Sequence, residues 1–251
     1  MLKKGVLVLI IVVFAAGGAF AQRGSWPTAN NTITVDIAPT IACFAIGPLG
    51  SMVGSVLTAD SIKEIKTVGF GVAAQYERQL IRQLSVAGRV VFGIPEVGFT
   101  YNDSGITADP YLKMTSLAAE AHVRFFPFGD TFFLDGMAGY ANLTADLSGS
   151  VVYSGTKQKA TAKESSDYLK FGGKLGWRIG FGYNGGFTFE PSIGWYLGMP
   201  LGKALGEKVS DSLSKQLGGN KVPGIEEAFN TLETYAFIGG PRLSLAFGYR
   251  F

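Results

Sequence analysis

The final eleven residues, Pro241 to Phe251, constrain the fold of this chain more than any other stretch. From Leu243 the odd positions read Leu243, Leu245, Phe247, Tyr249 and Phe251; the even positions from Arg242 read Arg242, Ser244, Ala246, Gly248 and Arg250. A strict period of two puts large apolar groups on one face of a strand and small or cationic groups on the other. A strand of a transmembrane β-barrel has this pattern, one face in hydrocarbon and the other lining the lumen.

The first residues agree with export. Lys3 and Lys4 form a basic start, Val6 to Phe14 is an apolar core, and Ala19-Phe20-Ala21 is a small-x-small cleavage site. The expected organisation is a signal peptide over 1–21, cleavage between Ala21 and Gln22, and one barrel domain over 22–251. No later run of 18 or more apolar residues offers a helical span. The single cysteine, Cys43, has no intramolecular disulfide partner.

Hydrophobic residues make up 47% of the chain, with 19 Phe, 10 Tyr, 3 Trp and 35 Gly, yet they alternate rather than cluster. Formal charge is only +3 without a basic block, which argues against nucleic acid as a partner. The alternation recurs over about 32–44, 66–78, 84–101, 113–126, 132–147, 168–182, 187–199 and 235–251, which predicts eight antiparallel strands. Over 32–44, Ile33, Val35, Ile37, Ile41 and Cys43 are expected outward, with Thr34, Asp36, Ala38 and Thr40 inward. A phase change near Pro95-Glu96 predicts a bulge in the third strand. The fifth is ambiguous, because Phe132, Leu134 and Tyr140 take one phase while Leu143 and Leu147 take the other.

Connections near 79–83, 127–131 and 183–186 are short, and those near 45–65, 102–112, 154–166 and 200–234 are longer. Short periplasmic turns, long external loops and an even strand count describe an up-and-down outer-membrane barrel. The phase is testable on 168–182. A slip of one residue would turn Lys170, Lys174 and Arg178 toward lipid, at roughly 2–4 kcal/mol each near the midplane.

The chain resembles the small eight-stranded bacterial outer-membrane barrels of the OmpA-transmembrane, OmpX and OmpW type. Gly248-Tyr-Arg-Phe251 carries the resemblance, together with Arg124-Phe-Phe-Pro-Phe-Gly129, Phe132-Phe-Leu134 and Gly139-Tyr140. It implies that Tyr249 and Phe251 form a signal read by the barrel-assembly machinery, and that outer-membrane lipid surrounds the wall. The OmpW type further implies passage of small hydrophobic molecules.

The lumen of so small a barrel is wide enough only for side chains. Its expected lining is Arg89, Glu120, His122, Arg124, Lys170, Lys174, Arg178, Glu190 and Arg242, with Asp36, Glu77 and Arg250. Seven cations against four acids predict a net positive lumen, and Arg178 is expected to pair with Glu190 across a hairpin. This leads to a narrow path for small hydrophobic or anionic solutes. The alternative is a structural or surface-interaction barrel with a plugged lumen, and a lipid-modifying enzyme is a third reading.

The chemistry for an enzyme is thin, so no catalytic residue, cofactor or metal site is expected. His122 is the only histidine and faces inward. Gly180-Phe-Gly182-Tyr-Asn-Gly185 lacks the strand–helix setting of a dinucleotide site, and Ser212-Leu-Ser-Lys215 sits in a loop. That loop carries Leu205, Val209, Leu213 and Leu217 at a spacing of four, which predicts an amphipathic helix over 203–217. Segments 224–234 and 46–65 have a similar cast, and all three are expected to cap the barrel mouth or meet a partner.

Overall fold

The computed structural model describes residues 30–37, 39, 62–103, 106–109, 111–128, 131–153, 156–181, 186–216 and 239–251. The expected signal peptide, its cleavage between Ala21 and Gln22, Cys43 and the segment 224–234 lie outside the described residues.

The strands are β1 (Asn31–Asp36), β2 (Ile62–Ile81), β3 (Leu84–Asp103), β4 (Ile106–Ala108), β5 (Tyr111–Phe125), β6 (Phe132–Tyr153), β7 (Thr156–Trp177), β8 (Ile179–Phe181), β9 (Gly186–Pro200) and β10 (Gly240–Arg250). β4 and β5 are one wall strand interrupted at 109–110, and β7 and β8 are another interrupted at Arg178. The wall is therefore eight-stranded and antiparallel, and it closes where β10 pairs with both β9 and β1.

Its stagger follows from the register. Starting at Arg250, the partners run through Thr32, Glu77, Ala87, His122, Met137, Gly172 and Tyr196 and return to β10 at Gly240, ten residues from the start. Closure with such a stagger tilts the strands by roughly 35–45° from the barrel axis. Residues far apart in sequence thereby reach the same level of the lumen.

The exposed large apolar side chains form the outer belt. On β7 and β8 they are Leu169, Phe171, Leu175, Trp177, Ile179 and Phe181; on β10 they are Leu243, Phe247 and Tyr249. Phe132 meets Trp177 edge-on at 5.6 Å, and Phe187 meets Tyr249 at 5.6 Å, near the end that carries the short turns. Aromatic girdles of this kind mark a membrane interface.

Several expectations need correction. The first strand ends at Asp36 rather than 44, and of its expected outer end Ala38 and residues 40–44 lie outside the described residues. No bulge occurs at Pro95-Glu96. Gly69↔Pro95 and Val68↔Glu96 follow one another in register, and pairing with β5 lapses only between Gly93↔Ser116 and Glu96↔Lys113. Pro95 lacks an N–H, so its ladder lapses without an inserted residue. Register shifts instead fall between Ile62 and Glu64 and between Gln79 and Ile81.

The long loops expected at 102–112 and 154–166 are largely strand. β6 and β7 each run 22 residues and pair from Phe132↔Trp177 to Tyr153↔Thr156. A tilted strand crosses a membrane in roughly 9–11 residues, so about half of this hairpin stands beyond the belt. There the outward face is wet, the hydropathic alternation stops, and the sequence reads as loop while the ladder continues. The start of 46–65 lies outside the described residues, but from Ile62 that segment is already β2.

The structure also resolves the ambiguity of β6. It keeps one phase, with Phe133, Asp135, Met137, Ala141, Leu143 and Ala145 all buried inward. Leu143 joins Leu112, Met114, Ala162 and Tyr168 in an apolar cluster on the inner wall. Helix α1 (Leu205–Gln216) roofs it with Leu205, Val209 and Leu213, as their spacing of four dictates. Glu207 in its first turn and Lys215 in its last suit the helix dipole.

Candidate functional site: a filled lumen

Alternation fixes which side chains enter the lumen, and closure decides which of them meet. Below the apolar cluster the interior is ionic. Arg124 is fully buried and donates to Asp135 at 2.7 Å, Glu77 at 2.6 Å, Glu190 at 2.8 Å and Gln75 at 3.3 Å. Arg178 donates to Glu190 at 2.6 Å and to Glu77 at 2.7 Å. Arg124, Glu77, Arg178 and Glu190 thus form a closed ring drawn from four separate places in the wall. The expected Arg178–Glu190 pair is one side of it.

Beside the ring, His122 sits between Asp135 at 2.8 Å and Glu120 at 3.4 Å. Lys170 reaches the same Glu120 at 2.5 Å, and Lys174 lies 3.5 Å from Asp135. Arg89 pairs with Asp36 at 2.6 Å, and Asp36 also accepts from Ser244 at 2.5 Å and from the Leu245 N–H at 3.0 Å. The cations also stack on aromatic rings. Arg124 lies 4.4 Å over Phe133, and Arg178 lies 5.0 Å over Phe126. Both rings are buried completely and pack 6.0 Å apart, closing the lumen at the end with the short turns.

Every lining residue expected from the sequence other than Arg242 and Arg250 is buried within this network. Arg242 is half-buried beside it, and Arg250 lies lower, donating to Gln79 at 2.8 Å. Among the buried groups of the described residues, the expected excess of cations is absent. Asp135, missed from the sequence, joins Asp36, Glu77, Glu120 and Glu190, so five buried acids face five buried cations: Arg89, Arg124, Lys170, Lys174 and Arg178. The missing signal was available in register terms, because Arg124↔Asp135 is the second pair of a hairpin whose turn was recognised. The ambiguous phase of 132–147 hid it.

An unpaired charge in such a setting is strongly destabilising, so this matching is what permits ten ionised groups inside the wall. The gap among Asp36, Gln75, Arg89, Arg124, Lys174 and Glu190 is too narrow to hold a water molecule. Gln75 Nε2, Glu77 Oε1, Ser85 Oγ, Arg89 Nε and Thr188 Oγ1 have no hydrogen-bond partner among the described protein atoms. Tyr249 and Phe251, expected as an assembly signal, face outward, and the Phe251 backbone exchanges two hydrogen bonds of 2.9 Å with Asn31.

The autotransporter beta-domain family model matches residues 52–197, more than half of the chain. Among solved structures, the attachment invasion locus protein Ail of Yersinia pestis is 13% identical, over 89% of this chain and 99% of that one, at a TM-score of 0.37. The translocator domain of the autotransporter NalP from Neisseria meningitidis is 13% identical, over 79% of this chain and 61% of that one, at 0.38. CarO of Acinetobacter baumannii is 12% identical, over 74% and 94%, at 0.31. No curated protein matches the chain. A closed antiparallel wall with an apolar outer belt, matched along most of its strands by one family model, is an outer-membrane β-barrel, and the chain belongs to the autotransporter beta-domain family.

Proposed function

We propose that this barrel is a closed-lumen membrane protein that works through its external face, as a structural or surface-interaction protein, without catalysis. The observation that carries this reading is the matched set of five buried acids and five buried cations across the lumen, sealed on one side by Phe126 and Phe133 and on the other by the α1 cluster. Opening a path would require separating several buried ion pairs at once, and each costs several kcal/mol to break, of order 3–5. The same filling argues against passage of a polypeptide through the lumen. The belt meets outer-membrane lipid, and Tyr249 and Phe251 address the chain to the barrel-assembly machinery.

Planar-bilayer recording on refolded protein tests the reading. The expected trace stays at baseline, both for the intact chain and for one lacking 201–216. Discrete conductance steps, or uptake of small hydrophobic or anionic solutes into proteoliposomes, would instead establish the narrow pore.

A further inference from the structure

Above the belt β7 has an edge without a strand partner among the described residues, and α1 is fastened to it. β7 pairs with β9 only from Tyr168↔Pro200 to Gly176↔Ser192. On that side, residues 156–166 have no ladder partner among the described residues. Other groups stand in for one. The Leu201 N–H donates to the Asp167 carbonyl at 2.7 Å, and Lys208 Nζ donates to the Ser165 carbonyl at 2.6 Å. The Gln216 side-chain amide accepts from the Thr161 N–H at 3.2 Å and donates to the Thr161 carbonyl. A residue of a neighbouring antiparallel strand makes this same two-point contact.

We propose that the β7 edge over 159–165 is a docking site for an extended acidic peptide segment of a partner, and that α1 is the clasp covering it. This rests on the surface-interaction reading above and names its partner class. Strand addition to an open edge supplies affinity through main-chain bonds and specificity through alternate side chains. The alternate side chains here are Lys159, Thr161 and Lys163, all exposed, and Lys163 lies 4.0 Å from Asp146. Edge lysines oppose pairing between two copies of the same edge. An acidic strand meets both the ladder and the charge.

The clasp has a firm end and a weak end. Leu205, Val209 and Leu213 are buried, whereas Gln216 is exposed in the last turn, where helices fray. Release from Gln216 backward would free Thr161 and leave the apolar roof in place.

The test uses the full chain refolded in detergent micelles and fluorescence anisotropy with a labelled seven-residue alternating Thr/Glu peptide. Its controls are a Thr/Lys peptide and a Thr/Glu peptide N-methylated at alternate residues, which keeps the charge and removes ladder donors. The Thr/Glu peptide binds, and Gln216→Ala tightens it about tenfold by removing two competing hydrogen bonds. The N-methylated and Thr/Lys peptides do not bind, and Lys159→Glu with Lys163→Glu moves the preference to Thr/Lys. Heat-modifiable migration verifies that each variant is folded. Absence of Thr/Glu binding by both the native chain and Gln216→Ala overturns the proposal, as does equal binding of the N-methylated peptide. Conductance of the same preparation tests the closed lumen separately, so failure of the docking edge and failure of the functional reading are distinguishable.

Discussion

Replacing Arg124 by Met tests whether the lumen is a coupled, dry ion network. Arg124 is 2% exposed and holds three carboxylates, those of Glu77, Asp135 and Glu190, between 2.6 and 2.8 Å. The substitution keeps much of the volume over Phe133 but leaves five buried acids facing four buried cations. Breaking a buried ion pair from one side costs about 3–5 kcal/mol. Glu190→Gln alone is milder, because Arg124 keeps Glu77 and Asp135 while Arg178 keeps Glu77. The double variant restores four acids against four cations, with Arg178 on Glu77 and Lys174 near Asp135. Its cost is therefore expected to fall short of the sum of the single costs by about 1.5–3 kcal/mol, the range for charge-assisted contacts. Reversible urea unfolding in phospholipid vesicles, followed by tryptophan fluorescence, reads all three variants. A loss under about 1 kcal/mol for Arg124→Met, together with strict additivity, would refute the reasoning, since that is how a hydrated, weakly coupled lumen behaves.

Further outcomes follow from the same geometry. Leu175→Lys, in the middle of the outward run on β7, is expected to cost roughly 2–4 kcal/mol in bilayers; Phe181→Lys, by the turn, is expected to cost about 0–1. Equal costs in urea unfolding would show that the belt is misplaced. A Cβ on Gly248 would stand 2.2 Å from the Ile33 carbonyl oxygen, so Gly248→Ala strains the closing β10–β1 pair, by about 1–3 kcal/mol on the overpacking scale. Heat-modifiable migration at a lower temperature than the native chain checks it. Val209→Asp buries a charge under the α1 roof and is expected to detach the helix; amide exchange then speeds up over 205–216 while β2 and β3 stay protected. Unchanged exchange in α1 would contradict its packing on the inner wall.

Where the sequence was legible, one face of the strand lay in hydrocarbon. Leu169, Phe171, Leu175, Trp177, Ile179 and Phe181 stood out from Lys170, Lys174 and Arg178 because lipid accepts one set and excludes the other. Helix α1, expected over 203–217 and found over Leu205–Gln216, was legible for a similar reason, its apolar stripe being buried on one side only. Legibility failed where neither face meets lipid. Over 159–163 Lys159, Thr161 and Lys163 are exposed while Ala160 and Ala162 pack toward the α1 cluster, and with no large apolar face the stretch reads as a loop. Leu143 read as a phase error because the upper lumen is itself apolar. Asp135 was lost with it.

The sequence by itself determined the strand phase wherever one face meets lipid, the outer belt there, and most of the charges that must stay out of lipid. Only the tertiary structure decided how those charges pair. Arg124 and Glu190 are 66 residues apart, and Arg178 and Glu77 are 101 apart. A ten-residue stagger around a closed wall brings them to one level. Alternation is a local property, set by each residue's own solvent. Partnership across the lumen is set by register and closure, which no single strand carries.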